Sequence, residues 1–469
     1  MPPRLLPREF ALEVVKTLRR AGHQALFAGG CVRDELLGLP PKDYDVATSA
    51  LPDEVRALFP RTIAVGAAFG VIEVLGRGHL NIQVATFRKD DEYLDGRRPR
   101  KVTFCDAEED ARRRDFTING MFLDPLEERL IDHVGGQVDL QARVLRAIGD
   151  PTARFTEDRL RILRGVRLAA RFTLTIEPET ALAMSRMSPQ LSQGVSAERI
   201  ADELRKILVD QHRVRGMRLF MEMGLAAVVL PELVPMVGLP QGFPSLDGPA
   251  LPPPGLPGDA ETDLWDHVLQ VLGRLQPSPS FSLAMAALLH DVGKPRTVGR
   301  TPDRYTFYGH EHVGRRIAEE ICERLRLSNE ESERIAWLVE KHQVLADAVR
   351  MRPAKLKRLL IHPGIEELLA LHRADALASG RDCAHVDHAV AMRQRWAEAG
   401  ELAPPPLLTG TDLLDLGISP GPIFKTILDR VREAQLDRAI TSREAALQLV
   451  QTLLQREEEG DRPSDVVAD

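Results

Sequence analysis

The chain has 469 residues, 43% of them hydrophobic and 28% charged, with a formal net charge of −7. That length exceeds what one hydrophobic core organises and predicts three or four domains of ordinary soluble composition. The sequence has no apolar run of about 18 residues, which excludes a membrane-spanning helix, and no apolar stretch near Met1 that would read as a secretory signal.

Residues 9–21 read as an amphipathic helix, 24–28 and 43–47 as short strands, and 63–65, 71–75 and 80–87 as further strands of a small mixed sheet. From about residue 140 the periodicity becomes helical, most clearly over 157–171 and 196–208. Between Pro231 and Ala260 lie nine prolines and no periodicity, the signature of a linker or insertion loop. Helical patterns resume near Asp263 and run to about residue 400, Pro404-Pro405-Pro406 marks a break, and a helical module from Thr411 to about Leu454 precedes a charged tail. No internal repeat is present. Cys31, Cys105, Cys322 and Cys383 lie far apart, as reduced cytoplasmic thiols do, and not at the spacing of a disulfide framework or zinc knuckle.

The net charge argues weakly against a nucleic-acid partner, but its distribution outweighs the sum. From Arg143 to Arg171 there are eight arginines against three acids, a local balance of +5. Arg97, Arg98, Arg100, Lys101 and Arg112 to Arg114 form a second basic cluster. Two such clusters favour a polyanionic substrate.

Chemistry concentrates first at Gly29-Gly30-Cys31-Val32-Arg33-Asp34, followed nine residues later by Asp43-Tyr44-Asp45. A glycine pair leaves backbone N–H groups open to phosphate oxygens. Carboxylates at i and i+2 share a face of a strand, where they can hold divalent cations. Farther along, a helix through Glu157, Asp158 and Arg161 would place all three on one face. There a carboxylate can accept from the exocyclic amine of C or A while a guanidinium donates to the adjacent ring atom, a pattern G and U do not offer.

These motifs resemble the head and neck of the class II tRNA nucleotidyltransferases and bacterial poly(A) polymerases, members of the polymerase-beta nucleotidyltransferase superfamily. The resemblance covers roughly residues 20–230. It includes Arg113-Arg114-Asp115-Phe116-Thr117-Ile118-Asn119, Asp150-Pro151 with Arg154-Phe155, Glu157-Asp158-Arg159-Leu160-Arg161 and Ser196-Ala197-Glu198-Arg199-Ile200, in family order. The fold it implies is multidomain: a small α/β nucleotidyltransferase head followed by all-helical neck, HD and C-terminal domains. The boundaries expected are 1–140 for the head, 141–230 for the neck, 231–262 for the linker, 263–400 for the HD domain, 401–455 for a C-terminal RNA-binding module and 456–469 for the tail.

By the same resemblance Asp43 and Asp45 are catalytic and hold two Mg²⁺ ions, one activating an RNA 3′-hydroxyl and one neutralising the triphosphate. Gly29, Gly30, Arg33, Arg114, Asp115 and Asn119 would grip phosphates and ribose, and Glu157, Asp158 and Arg161 would select the base. The implied partners are tRNA, through its 3′ end and body, and CTP with ATP. The implied reaction is CCA addition, with CC-only, A-only and poly(A) addition remaining open. One departure stands out. Gln83-Val84-Ala85-Thr86-Phe87-Arg88 carries an amide where the family has a third acid. An amide cannot assist deprotonation as an acid does, so Glu73 could compensate, or the two metals could suffice.

A second constellation, His267, His290-Asp291-Val292-Gly293-Lys294 and Asp375, resembles the HD metal-dependent phosphohydrolases. His310 and His342 are expected as additional ligands, whereas His312 and His372 are expected to be bystanders. That similarity implies an unidentified divalent metal and hydrolysis of cyclic or terminal phosphates on RNA ends. Two alternatives stay open: a head silenced by Gln83 serving an HD hydrolase, and a purely structural RNA-binding protein.

Overall fold

The computed structural model describes residues 6–66, 70–78, 80–90, 102–240, 263–301 and 305–460. Arg97, Arg98, Arg100 and Lys101 of the second basic cluster, most of the proline-rich stretch and the end of the charged tail therefore lie outside the described residues. The chain divides into two compact units. The first is Met1–Leu269 with Gln276–Phe281 and Glu320–Asn329, and the second is Gln270–Leu275, Ser282–Glu319 and Glu330–Asp469.

The first unit opens with α1 (Pro7–Arg20), whose Ala11, Val14, Val15 and Leu18 make a buried stripe at helical spacing. It continues through β1 (Ala25–Ala28), α2 (Gly30–Leu36), β2 (Asp45–Thr48), α3 (Pro52–Leu58), β3 (Thr62–Gly66), β4 (Val71–Leu75), β5 (Asn81–Thr86), β6 (Arg88–Asp90) and β7 (Val102–Phe104). After α4 (Ala107–Arg112) come β8 (Phe122–Asp124) and β9 (Arg129–Ile131), completing a seven-stranded mixed sheet in the order β3-β4-β5-β2-β1-β8-β9. Strand β1 is buried along its whole length, as a four-residue apolar run between two neighbours must be. Its last residue leads to Gly29, whose φ of +72° turns the chain into α2. The sequence reading placed strands well but missed α2, because seven residues are too short to show a helical period.

Helices then take over, as expected: α5 (Gly136–Gln141), β10 (Val144–Leu145), α6 (Pro151–Glu157), α7 (Leu160–Arg171), β11 (Thr175–Ile176), α8 (Pro178–Met187), α9 (Ala197–Leu208), α10 (Arg213–Glu222) and α11 (Ala226–Val229). The expected continuous helix over 157–171 is in fact two. Asp158 adopts extended angles (φ −148°, ψ 104°), and its Oδ1 accepts from the Leu160 N–H at 3.1 Å, so it starts α7 rather than continuing α6. The expected linker also begins in ordered chain. Pro231–Met236 forms a 3₁₀ helix with Leu233 and Met236 buried.

The second unit contains the HD-like region. It takes in part of α12 (Leu264–Arg274), then α13 (Phe281–Leu289), α14 (Lys294–Thr297), the hairpin β12 (Gly299–Arg300) and β13 (Tyr305–Thr306), α15 (His310–Arg324) and α16 (Asn329–Lys341). These are followed by α17 (Pro353–Leu360), α18 (Ile365–Ala378) and α19 (Ala384–Glu398). Helix α13 is apolar all round, and Ala284 through Leu289 are fully buried, which makes it the central helix of this unit. The module after the proline triplet is α20 (Gly410–Asp415), α21 (Pro422–Leu436) and α22 (Arg443–Gly460), closed over Leu408, Leu413, Ile427, Val431, Ala446 and Val450.

Candidate active site and second metal-ligand group

A cleft of about 730 Å³ in the first unit is lined by Gly29, Gly30, Arg33, Asp43, Asp45, Arg88, Arg113, Arg114, Asp115, Asn119, Asp158, Arg161, Arg164, Arg167, Leu168 and Arg199. Eight arginines against four aspartates make it strongly cationic, a trap for a triphosphate or an RNA backbone. Asp45 is the first residue of β2. Asp43 precedes the strand, so the pair is a loop residue and a strand residue rather than two strand positions as the alternation suggested. Both nevertheless face the same cleft as the glycine pair. Burial and the neighbouring Asp43 push the Asp45 carboxyl up, against the pull of Arg114. A carboxylate pair facing one cleft is an oxygen donor set suited to a divalent cation, so the residues fit such an ion.

The arginines are aimed by buried acids. Asp110, 1% exposed, accepts from Arg113 Nε at 2.9 Å, from Arg114 Nε at 3.1 Å and Nη2 at 3.0 Å, and from the Arg88 N–H at 3.2 Å. Asp115 accepts from Arg164 Nε at 2.9 Å and Nη2 at 2.6 Å, and from Asn119 Nδ2 at 3.0 Å. Burial works to raise the Asp115 carboxyl, yet Arg164 beside it and the bonds from Asn119 and Arg164 hold it below its ordinary value. Asn119 in turn accepts from Arg33 Nη1 at 2.5 Å. Arg33 is itself buried, its Nε and Nη2 donating to Asp34 and its guanidinium lying 4.2 Å over the Phe172 ring. Arg33, expected to contact phosphate, is thus first a part of this scaffold.

The trio expected to select the base is divided by the helix break. Glu157 Oε2, at the end of α6, accepts from Arg154 at 2.8 Å and from Arg161 at 2.5 Å. Arg161 also donates to the carbonyls of Arg154 and Arg113, which fixes its plane. Asp158 does not share a helical face with Arg161. It is held by Arg199 of α9 at 2.7 Å. Asp158 and Arg161 line the cleft while Glu157 stands behind as the partner of Arg161.

Gln83 lies on β5 directly opposite Asp45 of β2 on one side and Glu73 of β4 on the other. Neighbouring strands stand about 4.8 Å apart. Glu73 is therefore two strands, roughly 10 Å, from Asp45 at the backbone, too far to serve as its substitute.

Sequence reasoning did not single out Asp110 or the cleft roles of Arg88, Arg164, Arg167 and Arg199. A signal existed. Asp110 stands three and four residues before Arg113 and Arg114, and Arg161, Arg164 and Arg167 repeat every three residues along α7.

In the second unit Asp291, His310 and His342 offer ligand atoms within 4.8 Å of one another, and all three are buried. His310 Nε2 is 3.3 Å and His342 Nε2 3.5 Å from Asp291 Oδ1. The remote nitrogens explain the arrangement. His290, His310 and His342 each point Nδ1 at the carbonyl three residues earlier, at 2.9, 2.7 and 2.7 Å. A carbonyl only accepts, so Nδ1 carries a proton and Nε2 is the nitrogen each ring turns toward Asp291, the atom that would ligate a metal ion. Burial also lowers the His342 pKa, favouring the neutral ring a metal requires. This N,N,O set with carbonyl-anchored imidazoles fits a divalent transition ion. His310 and His342, expected as supplementary ligands, are members of this tight group. His290, 1% exposed, has its Nε2 3.1 Å from Asp291 Oδ2. Asp375 lies on α18 with Oδ2 accepting from Arg381 at 2.9 Å. His267 stands on α12, in the stretch that belongs to the first unit. Of the expected bystanders, His312 is exposed, whereas His372 is buried, bonded to the Lys341 carbonyl, and pushed down to about 3 by burial.

Comparison with known proteins gives a consistent picture. Residues 25–146 match the poly A polymerase head domain, 173–236 the probable RNA and SrmB-binding site of polymerase A, and 265–380 the HD domain. A CCA-adding enzyme of Anoxybacillus flavithermus is 44% identical over 224 residues, which are 48% of this chain and 55% of that protein. One of Streptococcus mutans is 46% identical over 206 residues, covering 43% and 51%. The chain thus spans about half the length of these relatives. An A-adding tRNA nucleotidyltransferase of Deinococcus radiodurans is 33% identical over 426 residues, covering 88% of this chain and 91% of that one. Among solved structures, the Bacillus stearothermophilus CCA-adding enzyme in complex with CTP superposes with a TM-score of 0.69 at 26% identity, over 97% of this chain and 100% of that chain.

Proposed function

Because the chain belongs to the tRNA nucleotidyltransferase family, we propose that it adds C and A to tRNA 3′ ends from CTP and ATP. The observation that carries this reading is the convergence of Asp43, Asp45, Asp158 and Arg161 on one arginine-walled cleft. In the reaction the RNA 3′-oxygen bonds to the α-phosphorus, the bond to the β-phosphate oxygen breaks, and pyrophosphate leaves as the hydroxyl proton is released. Asp158 accepts from the exocyclic amine of the incoming base and Arg161 donates to its neighbouring ring atom, with Glu157 fixing the guanidinium. Arg114, Asp115 and Asn119, aligned by Asp110 and Arg164, hold triphosphate and ribose, and Gly29 and Gly30 admit phosphate oxygens to the backbone. Mg²⁺ held by Asp43 and Asp45 would supply Lewis-acid activation of the hydroxyl and charge neutralisation. The C-terminal module grips the tRNA body, and the protein works in the cytoplasm.

Incubating tRNA lacking its 3′ end with CTP and ATP, separately and together, tests the reading. Incorporation of neither nucleotide with any divalent metal ends it. A second reading, A-only addition, is favoured by the Deinococcus relative, which matches nearly end to end. Extension of tRNA ending in CC by ATP alone, with no C incorporation on the shorter tRNA, would select it.

For the second unit we propose a metal-dependent phosphohydrolase acting on RNA ends. Asp291, His310 and His342 would hold one divalent ion, and His290 and Asp375 of the same unit are further donors the HD resemblance implies. Release of phosphate from a 3′-phosphorylated RNA, or opening of a 2′,3′-cyclic phosphate, with retention of the metal in the purified protein, tests this.

A further inference from the structure

Beside the Asp291, His310 and His342 group lies a second pocket of about 380 Å³, lined by Lys294, Tyr305, Thr306, Phe307, Tyr308, Gly309, His310, Glu311 and Gln343. His310 belongs to both. The chain makes the connection by one turn. Gly309, at φ +72° with nothing within 4 Å of a Cβ position, reverses the chain between Tyr308 and His310. One side places the His310 imidazole in the buried group and the other leaves Tyr308 78% exposed, the most exposed large hydrophobic of the described residues. None of the described residues hydrogen-bonds to Tyr308 or stacks on its ring. A large aromatic held in water beside a pocket presents a flat apolar face on which a planar group can stack. At the pocket floor Lys294 Nζ, 11% exposed along its side chain, lies 2.7 Å from Asp291 Oδ2 and 5.4 Å from the Phe307 ring centroid.

We propose that Tyr308 is the nucleobase platform of the second site, so that this site takes a phosphate borne by a nucleotide more tightly than a bare phosphate. The base stacks on the Tyr308 ring, and its ribose phosphate reaches past Gly309 toward His310 and the Lys294 ammonium. Every base has a π-face, so the platform accepts any terminal base, unlike the C- and A-selective cleft of the head. The inference rests on the phosphohydrolase reading, and deepens it by naming what is recognised.

The test uses the full-length protein with Mn²⁺ and a guanine nucleotide, whose base the proposed C- and A-selective head cleft does not favour. Calorimetric titration of guanosine 2′-monophosphate into wild type, Tyr308→Phe and Tyr308→Ala should give Kd values within about twofold for the first two and about tenfold weaker for the last. Inorganic phosphate should bind all three alike. Tyr308→Ala should keep the wild-type melting temperature, because the side chain is 78% exposed and makes no hydrogen bond or ring contact with the described residues. Equal guanosine 2′-monophosphate affinity in wild type and Tyr308→Ala overturns the platform. A parallel assay of guanosine 2′,3′-cyclic monophosphate hydrolysis separates the two readings. Wild type that binds the mononucleotide through Tyr308 yet hydrolyses nothing overturns the phosphohydrolase assignment alone.

Discussion

Asp110→Asn is the sharpest probe of the cleft, because it removes one charge, keeps the shape, and leaves Arg113 and Arg114 facing a neutral amide. Asp110 is 1% exposed and receives both guanidiniums together with the Arg88 N–H. Breaking a fully buried pair costs about 3–5 kcal/mol. The Arg113 and Arg114 side chains are 20% and 18% exposed and regain some hydration, so about 3 kcal/mol, the lower end, is expected. For a unit of this size that corresponds to a melting shift of roughly 5 °C in the transition of the first unit. The pH dependence gives a second reading. Burial raises the Asp110 carboxyl, but Arg114 and Arg113 outweigh it and the net shift is downward. A carboxyl depressed in the folded state stabilises above its unfolded pKa and loses that contribution as pH falls through the folded value. The gap between wild type and Asp110→Asn should be full at pH 7 and shrink below pH 4 or so. The assay is differential scanning calorimetry across pH, with KM for ATP measured alongside and expected to rise as Arg114 loses its aim. A variant that melts with wild type at pH 7, or a gap that persists undiminished at pH 3, would refute the reasoning.

Four further outcomes follow from the geometry of the two sites. Gln83→Glu, which restores an acid directly across from Asp45, should raise the nucleotide-addition rate by about tenfold or more. Glu73→Gln, a strand farther out, should change that rate less than twofold, and single-turnover incorporation reads both. Glu157→Gln should weaken ATP and CTP about tenfold in KM with little change in kcat, because Arg161 loses its charged partner but keeps two carbonyls; steady-state kinetics with each nucleotide checks the split. Gly293→Ala would place a Cβ 2.1 Å from the His310 carbonyl oxygen and 2.8 Å from the Gly314 nitrogen. It should destabilise the second unit by about 1–3 kcal/mol and lower bound transition metal, read by calorimetry and elemental analysis.

The parts of the site legible in the sequence are those whose signal is local. The glycine pair, the two aspartates and the His-Asp dipeptide advertise themselves within a few residues, a short apolar run located β1, and alternation located β4 and β5. Seven-residue α2 and the interruption at Asp158 were not legible, because a helical period needs longer than seven residues to declare itself and an N-cap inside an apparently continuous pattern looks like any surface acid. Asp110 escaped for a different reason. Its importance lies in being buried beneath two arginines, and burial of an acid in a short polar helix leaves no mark on hydrophobic periodicity. The anchoring of His290, His310 and His342 through Nδ1 is likewise a matter of helix-end geometry that residue type alone does not encode.

Helix α7 carries a consequence beyond the contacts it makes. Arg161 in its first turn is the residue proposed to choose the base, while Arg164 one turn later clamps Asp115 and Arg167 is tied to Glu203. The three guanidiniums share one rigid rod, so a rotation of α7 that shifts Arg161 also moves the partner of Asp115, the residue proposed to seat ribose and phosphates. Under the proposed function, substrate choice and substrate placement are geared together, and neither can drift without dragging the other.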